Sequence, residues 1–318
     1  MRFRLVPGWS ALVILVIELV VFSIILARPG LPHTFANADN VGLIFKYSGI
    51  YGISAIGAAM IIGAGGIDLA PGAVIALASV VTGHLFVSAG WPLGVAALAG
   101  VAVGAVSGGL AALLVVAARL PPFIATLGVM GIARGLAFLI TEGRFYDLSR
   151  WLTDGVAPLG LPLSAWPGVL MVTLALVFQL LMTRTALGRH ILATGGNELA
   201  ARYAGVRVDR VKAFVYIAGG LLAALSGVVL AVVQGQGKAD LASGYELDVI
   251  AAAVVGGASL SGGRPALVGA VIGALIFGVL RNALTQIPGG TFADRLILGV
   301  AVLVIVVLDR LASGTRAA

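Results

Sequence analysis

The chain has 318 residues, 60% of them hydrophobic and 10% charged, with a mean hydropathy of +1.11. Soluble domains carry roughly a quarter charged residues, so this chain has too few polar groups to clothe a water-facing surface and is built for lipid. Its net charge of +7 comes without any basic stretch interleaved with aromatics, which argues against a nucleic-acid partner, and the lack of cysteine excludes disulfides and thiolate metal sites.

A membrane crossing takes about 20 apolar residues to cover ~30 Å of hydrocarbon. Taken in chain order, apolar runs at 9–27, 47–64, 72–89, 92–117, 123–140, 167–183, 213–233, 248–260, 265–284 and 295–311 predict ten spans. The expectation is an all-α, multi-pass membrane fold in a single domain over 1–318, with some helices broken or re-entrant. Gly and Pro interrupt the ends of the third and eighth runs. The first run follows a basic head and has no small-x-small cleavage site before Arg28, so it reads as a retained span. The 45 glycines suit close helix–helix approach and broken helices.

Basic residues orient the chain. With Arg2 and Arg4 inside, ten spans return the C-terminus to the same side, and twelve basic residues fall inside against seven outside. The segment 184–212 decides the matter. It holds six basic residues and two acidic ones, Glu198 and Asp209, and this net +4 belongs in the cytoplasm. The longest outside loop, about 141–166, carries Trp151 and Trp166 as interface anchors.

Several segments bear on chemistry. In GAGGIDLAPG, 63–72, Gly65, Gly66 and Asp68 lie between two apolar runs. Either Asp68 caps a tight turn, or a broken helix enters the membrane and its free backbone groups line a solute path. In 120–143, Phe123, Thr126 and Thr141 are placed to touch a small polar solute. Arg134 sits mid-span, either paired with the intramembrane Glu18 or serving a proton relay. In 244–284, Glu246 and Asp248 precede a span, and Asn282 and Gln286 offer hydrogen bonds. Residues 65–77 and 256–275 echo each other: each has paired glycines, a short polar turn and a new small-residue helix.

No phosphate-cradling G-x-x-x-x-G-K-[ST], no G-x-S-x-G and no H-E-x-x-H occurs, and His33, His84 and His190 are isolated. These absences leave no catalytic constellation and no metal site. By contrast, 197–205, NELAARYAG, is strongly helix-forming, with Asn197 as cap and Gly205 as terminator. It is either a plain solvated loop or a stiff knob for docking.

The string TALGRHILATGGNELAARYAGVRVDRVK resembles the cytoplasmic loop of permease subunits of bacterial ABC sugar importers of the ribose, arabinose and galactose type, within the branched-chain amino acid permease-like superfamily. GGIDLAPGAVIALASVVTG, PPFIATLGVMGIARGLAFLITEG and GYELDVIAAAVVGGASLSGGR resemble the same family, in the same order, over most of residues 45–285. Ala70-Pro71 departs from the pattern, where Ser and a small residue are expected.

The resemblance implies a non-catalytic permease of the bacterial inner membrane with both termini cytoplasmic. It would pass a pentose or hexose and hold no cofactor of its own. ATP and Mg would sit on a cytoplasmic ABC ATPase, a periplasmic sugar-binding protein would deliver solute, and a second permease chain, copy or sister, would complete the pathway. Asn197, Glu198, Ala200, Ala201, Arg202 and Gly205 would couple to the ATPase. Gly65, Gly66 and Asp68, with Phe123, Thr126 and Asn282, are candidates for the solute path. The alternative is an ion-coupled secondary transporter using Glu18, Asp68 and Arg134.

Overall fold

The computed structural model describes residues 9–27, 35, 37–149 and 166–290, with five further positions between 296 and 303. Its helices are α1 (Trp9–Leu26), α2 (Ala38–Gly63), α3 (Pro71–Gly83), α4 (Leu93–Ala112), α5 (Pro122–Thr141), α6 (Trp166–Arg184), α7 (Ala186–Gly196), α8 (Glu198–Tyr203), α9 (Val208–Gln234), α10 (Tyr245–Val255) and α11 (Leu267–Thr285). π-helical turns, His84–Ser88 and Leu113–Ala117, close α3 and α4. β1 (Phe145–Asp147) and β2 (Gln236–Lys238) pair antiparallel, Phe145 opposite Lys238. Among the described residues, seven helical stretches are long and apolar enough to cross a membrane: α2 to α6, α9 and α11. The chain is an all-α multi-pass membrane protein.

α2 and α9 form the core. α9 packs on α4, α3 and α2, and α2 in turn packs on α11, α6 and α10. Glycine sets how closely these helices approach. Gly100, Gly104 and Gly108 recur every four residues on one face of α4; a Cβ at Gly104 would overlap Gly220 O, and one at Gly108 would overlap Tyr216 O. Small faces of this kind bring backbones into contact where lipid supplies no hydrophobic drive between helices. A buried hydrogen bond, Ser54 Oγ to Ser226 Oγ at 3.0 Å, and a second from Ser226 Oγ to Ile50 O at 2.7 Å, lock α2 to α9.

Gly104→Leu is expected to cost about 1–3 kcal/mol by overpacking, read as a lower melting temperature in detergent. Gly109, where a Cβ meets nothing within 4 Å, is the control position. Equal melting of Gly104→Leu and Gly109→Leu would refute the packing role.

The structure departs from the hydropathy reading in four places. The run 248–260 is not a full span. α10 has 11 residues, ~16 Å at 1.5 Å per residue, and it ends in a glycine-rich break in which Gly257, Gly262 and Gly263 take positive φ. Hydropathy sums through that break because its residues are small and only weakly polar. α2 begins at Ala38, nine residues before the expected 47, because Asn37 caps it and the polar first turns are helical too. α9 begins at Val208, so Asp209, Arg210 and Lys212 belong to a helix and not to the loop. Finally, Glu18 and Arg134 do not pair. α1 packs on α11, whereas α5 packs on α3 and α4. Arg134 instead donates to Ala239 O at 2.7 Å and Leu241 O at 2.9 Å. The expected span at 295–311 and Trp151 lie mostly or wholly outside the described residues.

The two ends of the bundle differ. α8 precedes α9 and β2 follows it, and the 27 residues of α9 separate them by ~40 Å. At the β end, Tyr146 Oη donates to Ile140 O at 2.8 Å and bonds His84 Nδ1 at 3.0 Å, pinning the ribbon to α5 and to the end of α3.

Candidate functional site

At the other end, local signals build a knob. Thr185 Oγ1 accepts from Gly188 N–H at 3.2 Å and caps α7. Asn197, extended at φ −159° and ψ 102°, separates α7 from α8, and its Oδ1 accepts from Ala200 N–H at 2.9 Å. At the far end of α8, Gly205 N–H bonds Arg202 O at 3.1 Å and Val206 N–H bonds Ala201 O at 3.0 Å. That pair of bonds needs a left-handed residue, and Gly205 supplies it with φ +83°.

Charge then braces the knob. Glu198 receives Lys212 Nζ at 2.7 Å and Arg202 at 3.5 Å, and Arg202 reaches Asp209 at 2.9 Å. Asp209 first, and Glu198 after it, raise the Arg202 pKa further above its ordinary value, so this cation never titrates in use. Lys212 and Asp209 stand in the first turns of α9, so these pairs tie α8 to a core helix. Ala201 is buried beneath the knob and Ala200 is exposed. Leu199 and Tyr203, one turn apart, are 62% and 84% exposed. They form an apolar pair left bare on a charged segment.

Under the knob, three glycine-bearing breaks meet. Gly263 N–H donates to Gly63 O at 3.0 Å, and a Cβ at Gly195 would overlap Gly63 O and press on Gly263 N. The end of α7 therefore sits on the break after α2 and on the break after α10. These are the two echoing segments noted in the sequence. From Gly65, at φ +83°, the chain runs without regular structure to α3. Asp68 is buried and its Oδ1 accepts from Ala70 N–H at 2.8 Å. Thr126 Oγ1 accepts from Leu69 N–H at 3.2 Å and donates to Pro122 O at 2.9 Å. Pro71 then starts α3. Gly65, Gly66, Asp68 and Thr126 are thus brought together, and Gly65 and Gly66 line a small crevice of ≈ 10 Å³ with Pro122, Lys212 and Tyr216.

Phe123 is 53% exposed on the outer face of α5, and Asn282 lies elsewhere. Asn282 borders a larger cavity, ≈ 200 Å³, with Tyr47, Tyr51, Tyr245, Arg281 and Thr285. Arg281 lies over the rings of Tyr51 and Tyr245, at 4.9 and 5.6 Å from their centroids. It bonds Tyr51 Oη and, at 2.8 Å, Asp248. Asn282 Nδ2 donates to Asn40 Oδ1 at 2.8 Å, and Gln286 Nε2 donates to Asn282 Oδ1 at 2.9 Å. From the sequence, Asn282 is named and Arg281 is counted only as one of the seven outside basic residues. The missed signal was an arginine inside the apolar run 265–284. Among the described residues, no group of three or more His, Asp or Glu is placed to hold a metal ion.

Residues 40–307 match the family described as branched-chain amino acid transport system / permease component. The chain is similar to the ribose import permease protein RbsC of Bacillus subtilis, 36% identical across 91% of this chain and 90% of that protein. It is 35% identical to the ribose import permease protein RbsC of Escherichia coli K12, across 88% of each. It is 34% identical to the L-arabinose transport system permease protein AraH of the same organism, across 87% of this chain and 83% of that one. No solved structure matches the chain.

Proposed function

The chain belongs to the branched-chain amino acid transport system / permease component family, as a non-catalytic permease subunit of an ABC importer, and we propose that it passes a monosaccharide, pentose or hexose, across the bacterial inner membrane. The observation that carries the reading is the α7–α8 knob, capped at both helix starts, braced onto α9 and baring Leu199 and Tyr203. A rigid handle of this kind transmits movement from a soluble motor, where a flexible loop would absorb it. The names of the ribose and arabinose relatives support a sugar as the solute.

In this reading a cytoplasmic ATPase, holding ATP and Mg, docks on Leu199 and Tyr203. Asn197, Glu198, Ala200, Ala201, Arg202 and Gly205 give the knob its shape and stiffness. Gly65, Gly66, Asp68 and Thr126 hold the break through which the motion enters the spans. A periplasmic sugar-binding protein delivers the solute to the β end, and a second permease chain completes the pathway. Both termini lie in the cytoplasm, and residues 1–318 act as one domain. The ion-coupled alternative loses its relay, because Arg134 is engaged by two carbonyls and Glu18 sits on a different face of the bundle.

Reconstitution with the ATPase and the binding protein in liposomes tests this. Labelled ribose or arabinose is expected to accumulate with ATP and to be indifferent to a protonophore. Uptake that persists without ATP and collapses with the protonophore would overturn the reading.

A further inference from the structure

The cavity bounded by α2, α10 and α11 has no part in the coupling just described. Tyr51 lies twelve residues back from the Gly63 break, and Arg281 lies fourteen residues beyond the start of α11. Both distances come to ~18–21 Å along a helix, which puts the cavity in the half of the bundle away from the knob. Its ≈ 200 Å³ is below the ~300–1,000 Å³ of drug-sized sites and leaves room only for a small ligand. We propose that this cavity is a solute subsite for an uncharged polyhydroxylated ligand, a monosaccharide, and that α10 links it to the knob. The proposal rests on the sugar-importer reading above.

The chemistry of the lining selects the class. Arg281 is matched by Asp248 at 2.8 Å, so the pair presents no net charge to a ligand. An amino-acid zwitterion would need those two groups separated and free. Tyr51 is buried beneath Tyr245, their ring centroids 4.5 Å apart, so the partly exposed Tyr245 is the aromatic wall available to the C–H side of a sugar ring. The Tyr47 hydroxyl has no hydrogen-bond partner among the described residues. Thr285 Oγ1 donates to Asn282 O at 2.7 Å and retains its acceptor lone pairs. Hydroxyl and amide groups around a neutral, aromatic-walled space are what a sugar requires.

α10 supplies the link to the motor. Tyr245 and Asp248 stand in its first turn, and its last residue, Val255, leads into the break whose Gly263 bonds Gly63 beneath Gly195. A shift of the knob therefore reaches Tyr245 through one short rigid helix. The site is held shut or loosened according to where the break lies.

The chain has no cysteine, so Thr285→Cys in the assembled importer gives a single reactive thiol in the cavity. Its labelling by a small polar methanethiosulfonate is measured with the sugar that the wild type accumulates and with L-leucine. The expected result is several-fold slower labelling with the sugar and no change with leucine. Equal rates with and without sugar, or equal slowing by leucine, overturn the proposal. In parallel, Tyr245→Ala is expected to lower uptake about tenfold while still co-purifying with the ATPase, and Tyr245→Phe is expected to keep most of it. Wild-type uptake by Tyr245→Ala overturns the proposal, and if that variant does not assemble, the thiol labelling decides. If the wild type itself accumulates no sugar with ATP, it is the importer reading that fails, not this site alone.

Discussion

Glu198→Lys is expected to strip the ATPase from the complex while leaving the membrane bundle intact. The substitution places a cation where Lys212 Nζ at 2.7 Å and Arg202 at 3.5 Å now find a carboxylate. Exposed ion pairs are individually weak, and none of these is needed to hold the spans together. Their combined effect is to fix α8 against α9, and reversal turns two attractions into repulsions. Association with the ATPase, measured by co-purification, should fall at least about tenfold, which corresponds to ~1.4 kcal/mol. The melting temperature of the permease in detergent should stay near wild type. An intact complex, or a melted bundle, would remove Glu198 from the coupling role.

The second large effect is expected at Gly195. Gly195→Ala drives a methyl group into Gly63 O and against Gly263 N, the place where the two helix breaks touch. The atoms that must yield are backbone, which has no rotamer to retreat into, so the breaks are forced apart. Overpacking of this kind costs about 1–3 kcal/mol. Because the knob surface is untouched, the ATPase should still bind and hydrolyse ATP, with solute uptake reduced about tenfold per 1.4 kcal/mol. Gly196→Ala adds the same methyl group where nothing lies within 4 Å. Matching uptake in the two variants would show that the junction carries no motion.

The knob was legible in the sequence because its signals are local. An Asn cap, a run of good helix formers and a glycine at the left-handed position lie within nine residues, and each works through its nearest neighbours. Helix class and most spans were legible for a similar reason, since hydropathy integrates over one segment. α10 was misjudged because a glycine-rich break is nearly as apolar as the helix it ends. The cavity was illegible. Arg281 and Tyr51 are 230 residues apart in the chain, and only the packing of α11 on α2 brings a cation to that ring. Glu18 and Arg134 misled for the complementary reason. Two costly intramembrane charges suggest each other, yet the carbonyls of Ala239 and Leu241 satisfy the arginine without any acid in contact.

The bond from Gly263 N–H to Gly63 O joins residues two hundred positions apart. A single amide–carbonyl bond of this kind is worth a net ~0.5–1.5 kcal/mol, only one to three times thermal energy. The junction is therefore a latch and not a weld. Breaking it would leave the helices on either side intact, because each is held by its own ladder of backbone bonds.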